Sequence, residues 1–205
     1  MLLFDKIILQ LQQNWLELTA VLASFVYLYC SIKQYISLWI WGTLSSCLYV
    51  YVFYQTHFYA GAFLQIYYIA ISIYGYLYWY LKKDDKEDNQ QLNIKHAGAK
   101  ISILLIGIIS ILTLIVGYIL KHYTDSYVPF SDAFTFAGGL VATWMLARKY
   151  LEHWLFWLVI DCFSVALYSL QHLYLTAILY AVYFIMAIVG YVEWKKSIKK
   201  ASSVA

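Results

Sequence analysis

The sequence predicts an all-α polytopic membrane protein of seven transmembrane helices, arranged as two parallel three-helix repeats around one linking helix (3+1+3). Three observations carry this expectation. The chain is 63% hydrophobic and 20% aromatic with only 12% charged residues, against about 25% charged and 45–50% apolar in a typical soluble domain. Apolar runs long enough to cross a bilayer recur along its 205 residues. The first and last thirds of the chain also align with each other. One Pro and nine Gly exclude disorder and collagen. The short alternating segments that a transmembrane β-barrel needs do not appear.

The elements follow in order. The stretch MLLFDKIILQLQQNW interrupts its apolar residues with Asp5, Lys6 and glutamines, so it does not read as a removable signal peptide. The first span covers 15–32, the second 36–54 and the third 59–81, so 15–81 forms the first repeat. The polar run KKDDKEDNQQLNIKHAGAK (82–100) reads as a solvated cytoplasmic loop. The fourth span, 101–120, is the most aliphatic (ISILLIGIISILTLIVGYIL) and reads as a topological inverter. The fifth, sixth and seventh spans cover 132–147, 151–170 and 173–194, giving a second repeat at 130–194; a cytoplasmic tail, 195–205, ends the sequence.

Charge sets the expected orientation. Lys33, five lysines of the 82–100 loop, Arg148, Lys149 and the tail lysines Lys195, Lys196, Lys199 and Lys200 fall on one side of a seven-span chain, twelve in all. Lys6 and Lys121 fall on the other. Cytoplasmic loops are enriched in Lys and Arg, so the N-terminus is expected outside and the C-terminus in the cytoplasm.

Shifting the sequence by 115 positions aligns 15–79 with 130–194 without a gap. Thirteen of 65 positions are identical, among them Tyr35/Tyr150, Trp39/Trp154, Cys47/Cys162, His57/His172, Gly75/Gly190 and Trp79/Trp194. A composition this biased yields roughly five by chance. Parallel repeats are a transporter architecture, with substrate sites near the midplane at the repeat interface.

Polar residues at membrane depth are the functional candidates. Asp161 is the only charged residue near the middle of a span, and such a residue costs about 2.5–3.5 kcal/mol on insertion scales. Trp154, Trp157, Asp161, Ser164 and Tyr168 share a helical face. A Trp pair one turn from a carboxylate suits a flat cation; Trp154 equally suits the interfacial aromatic belt. The third span offers Gln65, Tyr68 and Ser72 on one face. Their repeat mates are Tyr180, Tyr183 and Ala187, and the mate of Asp161 is Ser46. Polarity that differs between the halves fits one asymmetric solute, whereas Ser46 and Ser72 also suit plain interhelical hydrogen bonding. Glu17 and Asp132 suit the helix dipole at outer helix ends, or an entrance. His57 and His172 read as surface histidines, and Cys47 and Cys162 as packing residues.

The sequence offers no Gly-rich phosphate loop, no nucleophile–base spacing and no metal cluster, so neither an enzyme nor a cofactor is expected. The three cysteines supply no disulfide or zinc framework. The charged run 82–100 is not a nucleic-acid patch. A non-transporting receptor or assembly protein is the alternative from another class.

The W-x-x-W-x-x-x-D of Trp154, Trp157 and Asp161, within RKYLEHWLFWLVIDCFSVALY, resembles the motif of the Pnu-type vitamin transporters, whose founding members carry nicotinamide riboside. WLELTAVLAS resembles the family's first helix, and YAGAFLQIYYIAISIYGYLYW, with Gln65 and the Tyr74–Gly75 step, its third. The resemblance implies a SWEET-like arrangement in a bacterial inner membrane. It also implies facilitated diffusion of a B-vitamin trapped by cytoplasmic phosphorylation, and a homotrimer. Nicotinamide riboside carriers usually have Asn where Asp161 and Ser72 stand. The family also includes thiamine and riboflavin carriers. A carboxylate suits thiamine's cation and amino-pyrimidine, so thiamine is the favoured substrate and nicotinamide riboside the alternative.

Overall fold

A computed structural model describes residues 15–55, 59–82, 93–124, 126–172 and 174–204. The N-terminal stretch, His57, residues 83–92 and the Glu17 side chain lie outside the described residues. The chain forms two compact units, Met1–Lys82 and Lys83–Ala205.

The first unit contains α1 (Trp15–Ile32), α2 (Leu38–Gln55) and α3 (Tyr59–Leu81). α2 packs against both neighbours. Ser24 and Ser45 share a 2.8 Å hydrogen bond between α1 and α2. Trp39 on α2 meets Trp79 on α3 edge-on, with ring centroids 5.5 Å apart. This is a preferred aromatic geometry. It is possible because Gly75 offers no side chain: a Cβ there would stand 2.4 Å from Trp39 Cζ2.

The second unit contains α4 (Gly98–Tyr123), α5 (Pro129–Ala147), α6 (His153–Leu170) and α7 (Tyr174–Val204), each packed on its chain neighbour. α5 starts with Pro129, whose fixed φ suits the first helical position. Its first-turn Asp132 accepts a 2.7 Å hydrogen bond from Ser126 Oγ, which holds a negative charge at the positive end of the helix. Small residues let neighbours close on α5: Ile160 of α6 sits where a Cβ on Gly138 would be 2.8 Å away. Leu105 and Ile109 of α4 join Ala137, Val141 and Met145 of α5 in one core cluster. The outer face of α4 leaves Ile103, Leu104, Ile111 and Leu114 exposed, as a lipid-facing helix does.

The seven helices among the described residues match the seven expected spans within a few residues, except at the C-terminus. There α7 continues through Val204, so the helix runs about ten residues beyond the expected end of the seventh span at 194. No Pro or Gly follows Gly190 to stop it. Among the described residues, Gly98–Tyr123, Pro129–Ala147, His153–Leu170 and Thr176–Lys200 are each long and apolar enough to cross a membrane.

The two units share local detail at positions 115 apart. Gln34 and Lys149 end their turns with φ of 60° and 57°, in the left-handed region. Tyr35 N–H donates to Cys30 O at 2.9 Å, and Tyr150 N–H to Met145 O at 3.0 Å. Trp154 and Trp194 meet edge-on at 5.9 Å, as Trp39 and Trp79 do. A Cβ on Gly190 would lie 2.5 Å from Trp154 Cζ2, as one on Gly75 would strike Trp39.

Candidate substrate-binding face

In the second unit the site candidates lie along α6 and α7. α6 is entered through the turn 148–152, which is tied to the segment 93–97. Lys95 N–H donates to Lys149 O at 2.8 Å, and Leu151 N–H donates to Lys95 O at 2.9 Å. Glu152 accepts the Ala97 N–H at 2.9 Å and faces His96 Nδ1 at 3.0 Å. The end of the expected solvated loop is therefore a strap that holds the entry to α6. Nothing local in the sequence marks this pairing, because its partners are more than 50 residues apart.

Trp154 is buried against Gly190, Trp194 and the His153 ring, whose centroid is 4.4 Å away. Its Nε1 has no hydrogen-bond partner. Trp154 thus locks α6 to α7, and Trp157, half-buried one turn on, is the tryptophan with the more open ring. Asp161 is 3% exposed, and no hydrogen bond or ion pair engages its carboxylate among the described residues. Ser164 is 0% exposed with its Oγ unpaired; such a buried hydroxyl costs about 1–3 kcal/mol. Tyr168 stacks on Tyr180 at 5.3 Å, and Tyr180 meets Tyr183 edge-on at 6.0 Å. The α6 face therefore carries a ring, a carboxylate, a hydroxyl and a tyrosine cluster in succession.

In the first unit Ser72 is buried beside Gly42, where a Cβ would come 3.3 Å from Ser72 Oγ and 3.1 Å from Tyr27 Cδ2. Tyr27, Gly42 and Ser72 bring α1, α2 and α3 together. Ser46 is buried one turn beyond Gly42. Gln65 and Tyr68 are half-buried on α3, and Tyr68 touches the Tyr67 ring at 5.8 Å.

Two buried groups, Lys149 and His153, are not among the site candidates read from the sequence. Lys149, counted among the charges of the cytoplasmic side, is 1% exposed, with Nζ 6.0 Å from the Trp194 ring. Burial lowers its pKa from 10.5 to about 7. His153 is buried against Trp154 and Trp194. The repeat held a clue to Lys149, since Gln34, its mate, is neutral and also buried. His172 is exposed and pairs with the Tyr174 hydroxyl at 3.0 Å. No group of three metal-ligating side chains occurs among the described residues.

The family profile described as nicotinamide mononucleotide transporter matches residues 14–196. The chain belongs to the nicotinamide mononucleotide transporter family. It is 24% identical over 214 aligned positions to the nicotinamide riboside transporter PnuC of Escherichia coli (strain K12), covering 94% of this chain and 90% of the relative. It is 26% identical to the riboflavin/roseoflavin transporter RibM of Streptomyces davaonensis, covering 94% and 87%. The crystal structure of the vitamin B3 transporter PnuC matches with a TM-score of 0.74 and 21% identity, over 96% of this chain and 87% of that one. This family member is an integral membrane protein, and its relatives are named as transporters, not as enzymes. The expectation of thiamine finds no support among these relatives, which are named for nicotinamide riboside and riboflavin. Asp161 does not decide between thiamine and nicotinamide riboside, because both are flat cations that a carboxylate suits.

Proposed function

We propose that this protein carries nicotinamide riboside across the membrane by facilitated diffusion. The observation that carries the reading is Asp161, buried halfway along α6 with no hydrogen bond or ion pair among the described residues. A buried carboxylate needs a compensating charge or hydrogen bonds. Within α1 to α3 there is no Lys, Arg or His, and the basic residues of α4 and α7 cluster at helix ends. A cationic ring beside Trp157 supplies what the protein omits.

The same charge pattern favours the riboside over the mononucleotide. A phosphate near mid-span would meet Asp161 and no cation, and would lose its hydration without replacement. The architecture proposed with this function is two parallel three-helix repeats, 15–81 and 130–194, flanking α4. The matching Trp–Gly–Trp contacts and left-handed turn residues of the two units support it.

A riboflavin reading is favoured by the RibM relative. The test is uptake of labelled nicotinamide riboside and riboflavin into sealed proteoliposomes without ATP or an ion gradient. Nicotinamide riboside is expected to equilibrate faster than in protein-free vesicles. Riboflavin flux alone would replace the substrate, and binding without flux would favour a receptor.

A further inference from the structure

Ser164 is completely buried on α6, and its Oγ has no hydrogen-bond partner among the described residues. Several other helical hydroxyls among the described residues bond a carbonyl of their own helix, and Ser24 and Ser45 bond each other, whereas Thr113 Oγ1 on α4 is, like Ser164 Oγ, unpaired. Thr43 donates to Trp39 O at 2.8 Å, Ser102 to Gly98 O at 2.9 Å and Thr143 to Gly139 O at 2.8 Å. That back-bond four residues earlier is the ordinary fate of a helical Ser or Thr. Ser164 makes no such bond to Ile160. Three residues before it on the same face stands Asp161, also buried and unpaired among the described residues. Side chains at this spacing are neighbours, with Cβ atoms about 5–6 Å apart, yet the two are not bonded to each other. A carboxylate acceptor and a hydroxyl donor–acceptor therefore stand on one face of α6, neither of them bonded to another group among the described residues.

We propose that Asp161 and Ser164 together read a vicinal diol of the substrate. The carboxylate accepts a hydrogen bond from one hydroxyl, and Ser164 Oγ bonds the adjacent one. This rests on the riboside reading above and names the part of the substrate that is recognised. Acidic side chains serve ribose hydroxyls in this way in dinucleotide-binding folds. The names of the relatives fit the same chemistry. Nicotinamide riboside and riboflavin have different rings, but each joins a flat heterocycle to a five-carbon polyol with adjacent hydroxyls. Thiamine has no such diol. The diol contact also keeps the carboxylate near the charge of nicotinamide riboside. One bond joins the cationic ring nitrogen to the anomeric carbon, and the first hydroxyl is on the next carbon.

The test is a titration of purified full-length protein, wild type and Ser164→Ala, with nicotinamide riboside and its 2′,3′-dideoxy analogue, and with riboflavin and lumichrome, its ring lacking the ribityl chain. Wild type is expected to prefer the diol-bearing member of a pair. Ser164→Ala is expected to weaken that member by about 3- to 12-fold and to leave the diol-free member within about twofold. The melting temperature of the ligand-free variant is expected to stay level or rise, because an unpaired buried hydroxyl has been removed. Equal weakening of both members, or a lower melting temperature with the preference intact, would make Ser164 a packing residue and overturn the inference alone. Failure of both nicotinamide riboside and riboflavin to bind would overturn the riboside reading, and this inference with it.

Discussion

Trp154 lies against the bare backbone of Gly190, so closely that a Cβ would stand 2.5 Å from its Cζ2. Trp39 and Gly75 make the same contact in the first unit. In both, a second tryptophan, Trp194 or Trp79, closes on the first edge-on. The contact joins the second helix of each triplet to the third. It explains why large aromatics and glycines persist in register 115 positions apart: each ring requires the missing side chain opposite it.

Gly190→Ala is therefore expected to be destabilising, by about 1–3 kcal/mol, the range for overpacking a close-packed core. Thermal unfolding in detergent measures it. Adding Trp154→Phe should recover part of the loss by making room. A neutral Gly190→Ala would mean that α6 and α7 can part without cost.

Glu152→Ala should free the strap at 93–97. Ala97 is buried, and its N–H would lose its acceptor, at about 1–3 kcal/mol. Hydrogen exchange of the Ala97 amide should accelerate. His96→Ala should do much less, since that side chain is 62% exposed and exposed ion pairs contribute little. Equal effects of the two variants would show that the pair matters more than the backbone contact.

Lys149 gives the stability a pH dependence. Its pKa is lowered from 10.5 to about 7 by burial. Between those values the unfolded chain holds a proton that the folded protein does not. Stability from this group therefore rises with pH across that window, falls as pH drops back toward 7, and levels off below. Lys149→Gln, which copies Gln34 at the matching position, should flatten the trend. Melting temperatures at about pH 7 and about pH 9 test this; an unchanged slope assigns it to another group.

Asp161→Asn should weaken nicotinamide riboside by about 10- to 150-fold, the loss of a charge-assisted hydrogen bond. Folding should survive, since Asn keeps the shape. Trp157→Ala should weaken binding through the lost ring contact, whereas Trp154→Ala should mainly lower stability. Calorimetric titration beside thermal unfolding separates the two tryptophans. Unaltered binding by Asp161→Asn would move the site elsewhere.

The Lys and Arg distribution predicts the 83–92 segment in the cytoplasm. A cysteine at Gln90 should react with an impermeant maleimide in inside-out vesicles only, and one at Tyr127, which is 98% exposed, in intact cells only. The reverse pattern would invert the topology.

The seven helices among the described residues, four of them long and apolar enough to cross a membrane, were legible in the sequence because a bilayer imposes a local rule: about twenty apolar residues for a crossing, with backbone bonds satisfied within the helix. The sequence match at a spacing of 115 positions was legible because Trp39, Gly75 and Trp79 recur unchanged as Trp154, Gly190 and Trp194. The α6 face with Trp157, Asp161 and Ser164 followed from helical spacing alone. Tertiary structure decided what those side chains do. It placed Trp154 in an interhelical lock, buried Lys149, which charge counting had assigned only to a side of the membrane, and drew residues 93–97 onto the turn before α6. It also left Ser164 Oγ, like Thr113 Oγ1 on α4, without a hydrogen-bond partner among the described residues. Each of these outcomes depends on partners distant in the chain, or on a partner's absence, and neither burial nor hydrogen-bond satisfaction is a property of local sequence.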